Sequence, residues 1–252
     1  MTTSPVSPVP LTYEAFVTRA VADPAVVGIV LKGSHAHDGM AGPHSDHDVY
    51  AILADSDPAP AWSGGLRSPA LDLVVVTLAE FRALGMPGFE RYALARARVV
   101  LDRLDGEISR IVAAKAQLDA DEATTASASW LDAYANAHYR SLKNARDGLP
   151  LAARLDAVDS IGFLLELLFA MDRRPRPYNK YLEWELARYP LPDWDTPALT
   201  AALTRIATTC DPTDQRALFA QVEPRARKAG HAAVLDAWGE DLHLMRPPAT
   251  AP

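Results

Sequence analysis

The chain has 252 residues, with 25 Lys and Arg against 32 Asp and Glu, a formal net charge of −7 at neutral pH. Its 49% hydrophobic and 23% charged residues exclude wholesale disorder and collagen-like or coiled-coil organisation, and its acidity argues against a non-specific nucleic-acid coat. With no apolar run of about 18 residues no membrane span is expected, the opening MTTSPVSPVP lacks the pattern of a secretory signal, and the single cysteine, Cys210, fits a reducing cytoplasm.

Residues 1–10 read as a flexible leader. From Leu11 to Ala22, Tyr13, Phe16, Val17 and Ala20 fall on one helical face, with Thr12 at the start. Pro24 ends that helix. Val26 to Leu31 is apolar and mostly β-branched, a buried strand that stops at Gly33-Ser34. HAHDGMAGPHS reads as a loop, and DHDVYAIL as a second strand with period-two alternation. Residues 55–68, rich in Asp, Ser, Pro and Gly, read as a surface connection. ALDLVVVT, residues 70–77, is a third strand, LAEFRAL a short helix, and Met86-Pro87-Gly88 a turn. FERYALARA is helical, ARVVLD a short strand closed by Asp105-Gly106, and residues 107–118 a helix. Residues 11–118 thus alternate helices and strands, an α/β or α+β domain.

From about Asp119 the pattern changes. ADEATTASASW is a linker or a helix start. Helical periods then run over 130–147, 151–172, 178–189, 197–208, 213–222 and 223–243, an all-α bundle over 119–246 followed by a tail at 247–252. The helix over 151–171 is the most apolar, with Leu155, Val158, Ile161, Leu165, Leu168 and Phe169, and is expected at the centre of the bundle.

Chemistry concentrates at Gly33-Ser34 and Ser45-Asp46-His47-Asp48. Asp46 and Asp48 are separated by one residue, so on a strand both point to one face. Such a pair persists where a divalent cation sits between the carboxylates. Asp72, within LDLVVV, is costly to bury unless paired or bound to metal. If its strand lies beside residues 47–53, three carboxylates share one sheet face, a hard-oxygen set suited to Mg²⁺. Gly33 lets backbone approach a ligand, and the Ser34 hydroxyl with nearby N–H groups suits a phosphate. A phosphate clamp beside a metal site fits phosphoryl or nucleotidyl transfer.

Gly33-Ser34, Asp46-His47-Asp48 twelve residues beyond Ser34, and the later Asp72 resemble the nucleotidyltransferase superfamily of the polymerase-β type. Within it the pattern resembles the antibiotic nucleotidyltransferases that modify kanamycin, streptomycin and lincosamides, and their uncharacterised relatives. They join a small mixed-sheet catalytic domain to a helical domain, and DSIGFLLELLFAMDRRPRPYNKYLEWEL also resembles their helical domain. The resemblance covers roughly residues 20–190. The His-rich loop HAHDGMAGPH departs from the pattern. The resemblance implies that Asp46 and Asp48 bind Mg²⁺, two ions with the nucleotide in place, and that Asp72 is a third ligand or the general base. It implies that Gly33, Ser34 and Ser45 lie at the nucleotide and that Lys180, supported by Tyr178, contacts phosphate. Arg173, Arg174 and Arg176 form a basic cluster near Tyr178. Arg140, Lys143 and Arg146, spaced by three, form a second on the preceding helix, with Arg140 and Lys143 expected at the nucleotide.

Plainer readings stand beside these. His35, His37, His44 and His47, four of the seven histidines, match no structural zinc spacing and read as a flexible polar loop, with His35 or His37 touching phosphate as the alternative. RRPRP is a solvated inter-helix loop or a nucleotide contact. Glu166 pairs with an arginine or serves as general base in place of Asp72. Trp130, Trp184, Trp194 and Trp238 anchor helix packing. The expected activity is Mg²⁺-dependent transfer of a nucleoside monophosphate, AMP from ATP or another NTP, to a hydroxyl of a small-molecule acceptor such as an aminoglycoside, releasing pyrophosphate. The expected partners are the triphosphate and that acceptor, with a cytoplasmic location, no membrane, and an oligomer compatible with the sequence. The alternatives are an antitoxin-type nucleotidyltransferase that modifies or masks a protein partner, and a nucleotide-binding protein without catalysis.

Overall fold

The computed structural model describes residues 11–55, 62, 64–84 and 90–248. The leader at 1–10, the turn at Met86-Pro87-Gly88 and the end of the tail lie outside the described residues. The protein is of mixed α+β type, and its contacts divide it into Met1–Gln117 and Leu118–Pro252.

The first unit is built on a five-stranded sheet of order β3-β4-β2-β1-β5, with β1 Val26–Lys32, β2 His47–Leu53, β3 Leu66–Arg67, β4 Leu71–Thr77 and β5 Arg98–Asp102. β2 and β4 run parallel, and the other pairings are antiparallel, so the sheet is mixed. The two-residue β3 falls in the stretch read from sequence as a bare connection. It is too short to show periodicity, and only its pairing with Leu73 and Asp72 of β4 defines it.

Each face of the sheet has its own core. On one, helix α1, Tyr13–Ala22, packs Phe16 and Ala20 against Ile29, Leu31, Val49, Ala51 and Leu71. Thr12 caps α1 by accepting the Ala15 N–H at 3.2 Å. On the other face, Val30, Tyr50 and Ile52 meet Phe81, Leu94, Ile108 and Val112, from helices α2 Leu78–Ala83, α3 Glu90–Ala95 and α4 Glu107–Lys115. A Thr77/Glu80 capping box starts α2. β1 is buried along nearly its whole length, which is why it reads as a continuous apolar run rather than an alternating one.

The second unit is helical among its described residues: α5 Ala120–Arg146, α6 Pro150–Met171, α7 Leu182–Arg188, α8 Thr196–Thr209, α9 Pro212–Lys228, α10 Ala232–Asp236 and α11 Leu242–Met245. Of the two readings of ADEATTASASW, the helix start is correct: Asp119 accepts the Glu122 N–H and the helix runs on unbroken. The division expected at 222/223 does not occur. α9 carries Pro224 inside it, and the chain turns at Gly230, at φ +97°.

α6 corrects a further expectation. Its C-terminal half is core, with Leu165, Leu168 and Phe169 at most 3% exposed, but Leu155 and Val158 are 58% and 47% exposed. In the N-terminal half the buried residues are Ala153, Ala157 and Ser160. These small side chains let α5 approach closely, and Ser141 of α5 donates to the Ala153 carbonyl at 2.9 Å. Contact distance here selects the small residues, and the leucines take the outer side.

Candidate active site

β1 ends in Lys32, then a 3-10 turn over Gly33–Ala36, and β2 returns beside it. Lys32 pairs with Asp48, Asp48 with Asp72, and Asp72 with Arg67. Directly paired residues on adjacent strands share a face, so these four side chains form one row, with neighbours roughly 5 Å apart. The row reads cation, carboxylate, carboxylate, cation. Lys32 Nζ also lies 5.0 Å from the centre of the Tyr50 ring, which places the row on the face that carries Tyr50 and Ile52.

Gly33 adopts φ +66°, and a β-carbon there would overlap Asp48 Oδ2 and stand 2.9 Å from its Cγ. The Asp48 carboxylate therefore rests directly against the Gly33 backbone. Ser34 beside it is only 4% exposed. His37 is 1% exposed; its Nδ1 lies 2.7 Å from the Gly33 carbonyl and its Nε2 3.2 Å from the Tyr92 hydroxyl. The expectation of a flexible polar loop fails for this residue, which is a buried anchor. On the opposite face His47 is stacked between Tyr13, at 4.2 Å, and His35, at 3.7 Å. Burial lowers the His47 pKa, and the neighbouring His35 lowers it further.

Asp46 is half-buried, just ahead of β2. Ser45 closes the loop locally, its hydroxyl accepting the Gly42 N–H at 3.0 Å. Among the described residues no group of three or more His, Cys, Asp or Glu side chains is arranged to hold a metal ion. Asp48 and Asp72 instead stand as a cross-strand carboxylate pair. Mg²⁺ is commonly held by one or two carboxylates together with substrate phosphates and waters, and two carboxylates side by side fit that ion.

The remaining expected residues belong to the second unit. Lys180 is exposed, with Nζ 5.3 Å from the Tyr181 ring centre, and Tyr178 is half-buried against Tyr181. Arg140 reaches Asp156 at 3.5 Å, Lys143 lies 5.9 Å from the Tyr139 ring centre, and Arg146 pairs with Asp147 at 2.8 Å. The RRPRP arginines make internal bonds. Arg173 donates to the Leu118 carbonyl, Arg174 bridges Asp172 and the buried Glu185, and Arg176 meets Glu166 at 3.4 Å and Asn179 at 2.7 Å. Glu166 thus pairs with an arginine.

Lys32, Arg67 and Tyr92 were not expected at the site, and His37 was expected only in a flexible loop or at a phosphate. Only Lys32 left a signal: it continues the alternation Gly28, Val30, Lys32 just before Gly33-Ser34. The others depend on strand pairing or on a contact 55 residues apart in the chain.

No protein-family model matches the chain, and no curated protein matches it. Among solved structures it is similar to a nucleotidyltransferase-like protein from Exiguobacterium sibiricum, at 13% identity and a TM-score of 0.43, over 93% of this chain and 77% of that one. At that identity no residue role passes from one chain to the other.

Proposed function

We propose that the protein is a nucleotidyltransferase that uses Mg²⁺ and a nucleoside triphosphate, ATP being the expected donor, to place a nucleoside monophosphate on a hydroxyl of a small acceptor. The observation that carries this reading is the in-register pair Asp48 and Asp72 on adjacent parallel strands, with Asp48 seated against Gly33 at the end of β1. Two carboxylates on one face repel each other, and Lys32 and Arg67 at the ends of the row offset part of that cost.

Asp48 and Asp72 would hold the ion, with Asp46 beside them. A bound Mg²⁺ would supply neutralisation of the triphosphate charge. Gly33 and Ser34 lie where the backbone comes close to the acids and would contact the triphosphate. In the reaction the acceptor oxygen forms a bond to the α-phosphorus, the bond from that phosphorus to the bridging oxygen breaks, and pyrophosphate leaves. The hydroxyl proton passes to a carboxylate, for which Asp72 is the candidate; Glu166 is tied to Arg176. Lys180 is the helical unit's candidate for an anionic group, with Tyr178 beside it. A cationic acceptor such as an aminoglycoside suits the net charge of −7.

The test is a mass-shift transfer assay with ATP, Mg²⁺ and a panel of small hydroxyl acceptors, with pyrophosphate release measured in parallel. Wild-type protein should transfer, and Asp46→Ala and Asp48→Ala should lose nearly all activity. Transfer at the wild-type rate by both variants would overturn the assignment.

A further inference from the structure

We propose that His37 is a positioning residue, backed by Tyr92, that fixes the Gly33 backbone and through it the Asp48 carboxylate. The proposal rests on the cation-binding reading of Asp48 given above.

A carbonyl oxygen only accepts, so at 2.7 Å from the Gly33 carbonyl the His37 Nδ1 carries the proton. In a neutral imidazole Nε2 is then bare and accepts the Tyr92 O–H, 3.2 Å away. The His37 backbone N–H also donates to the Ser34 carbonyl at 3.3 Å. One residue therefore holds two successive carbonyls of the turn, through its side chain and its main chain. His37 and Tyr92 are 1% and 2% exposed, so neither bond competes with bulk water.

Gly33 needs this support. Its φ of +66° lies in the left-handed region, and glycine reaches many other conformations at little cost. The same residue forms the surface against which the Asp48 carboxylate lies, with no room for one more carbon. A shift of the Gly33 backbone by a few tenths of an ångström would change where that carboxylate points. The Tyr92–His37–Gly33 chain links α3 to the end of β1, so the carboxylate takes its position from two elements far apart in sequence. The effect of each side chain on Asp48 is assigned to the Gly33 backbone, which His37 holds.

The experiment compares wild-type protein with Tyr92→Phe, His37→Phe and His37→Asn, each checked by thermal melting. Mn²⁺ with a non-hydrolysable ATP analogue is the probe, with bound Mn²⁺ read by electron paramagnetic resonance. Loss of a buried hydrogen bond predicts about tenfold weaker Mn²⁺ binding in His37→Phe and about threefold in Tyr92→Phe. His37→Asn keeps an N–H at the Nδ1 position but loses the acceptor for Tyr92, so it should match Tyr92→Phe, about threefold weaker than wild type, rather than His37→Phe. A long-range ¹H–¹⁵N spectrum of the histidines should show His37 as the Nδ1–H tautomer in wild type. Wild-type binding in the folded Tyr92→Phe and His37→Phe proteins, or the Nε2–H tautomer, would overturn the positioning role while leaving the cation site intact. Failure of wild-type protein to bind Mn²⁺ at all would overturn the cation site and this role with it.

Discussion

Gly33 lies so close to Asp48 that a β-carbon on it would overlap the Asp48 carboxylate oxygen. Gly33→Ala therefore combines backbone strain with displacement of a proposed metal ligand. Gly39 provides the control, because its φ of +82° imposes the same kind of strain while nothing lies within 4 Å of an added β-carbon. Each substitution should cost about 1–2 kcal/mol of stability from φ alone. Only Gly33→Ala should lower nucleotidyl transfer by about a hundredfold or more, a loss of roughly 3 kcal/mol in transition-state binding. Equal activity in the two variants would show that the contact has no functional weight.

The paired carboxylates of Asp48 and Asp72 predict a metal dependence of stability. Chelator should lower the melting temperature of wild-type protein, and Mg²⁺ should restore it, because a ligand that binds only the folded state stabilises it. Asp48→Asn removes one of two like charges on adjacent strands. It should melt at or above the chelated wild type, by up to about 1 kcal/mol, and should no longer respond to Mg²⁺. A Mg²⁺ response that survives in both Asp48→Asn and Asp72→Asn would place the ion elsewhere.

His138 sets a pH dependence that belongs to the helical unit. It is 1% exposed, its Nε2 lies 3.0 Å from the Met245 carbonyl, and burial pushes its pKa down to about 4. The unfolded chain takes up the proton near the ordinary value of 6.5, and the folded chain does so only near 4. Stability from this group is therefore complete above pH 6.5 and is lost progressively as the pH falls towards 4. The full difference is about 3 kcal/mol. Urea unfolding across that range should show a steep slope for wild type and a shallower one for His138→Gln; parallel curves would contradict it.

Glu223 ties the end of the described chain to α9. It accepts from Arg246 Nε at 2.9 Å and Nη2 at 2.6 Å, and from Arg227 Nε at 3.0 Å. The Arg246 hydrogen bond is the largest influence holding its carboxyl below the ordinary range, so this stabilisation is present above the unfolded pKa and lost on acidification through the folded one. Glu223→Ala should cost about 1–3 kcal/mol locally. Hydrogen exchange over residues 242–246 should quicken by about tenfold or more while α5 and α6 stay protected.

The contrast along α6 gives a check on packing. Leu155→Ala, at a position 58% exposed, should change stability by no more than about 0.5 kcal/mol. Leu165→Ala, at 2% exposure, should cost about 2–5 kcal/mol. Urea midpoints of the two variants measure the difference directly, and similar losses would mean that the outer face of α6 is covered in solution.

How far each feature was legible follows from how local its cause is. β1, β2 and β4 are marked by β-branched runs, and α1 by a capping threonine ahead of an apolar stripe, so both follow from neighbouring residues. Asp48 and Asp72 are visible as charges in apolar strands. Lys32 shows only as the next step of the β1 alternation and Arg67 not at all, because pairing register is a long-range property. β3 is too short to carry a pattern. The arginines of RRPRP look like a free basic cluster in sequence, yet each meets an acid or carbonyl that lies up to 55 residues away.

By itself the sequence determined the succession of strands and helices, the glycine that must precede the acids, and the chemical kind of group available there, because these depend on side-chain identity and spacing within a few residues. Only the tertiary structure decided that Lys32, Asp48, Asp72 and Arg67 stand in one row. It also decided that Asp48 rests on Gly33, and that a buried His37–Tyr92 pair stands behind that glycine. The physical reason is that strand register and close packing are set by every contact of the fold together, and a one-residue slip in any strand would send these side chains to the other face.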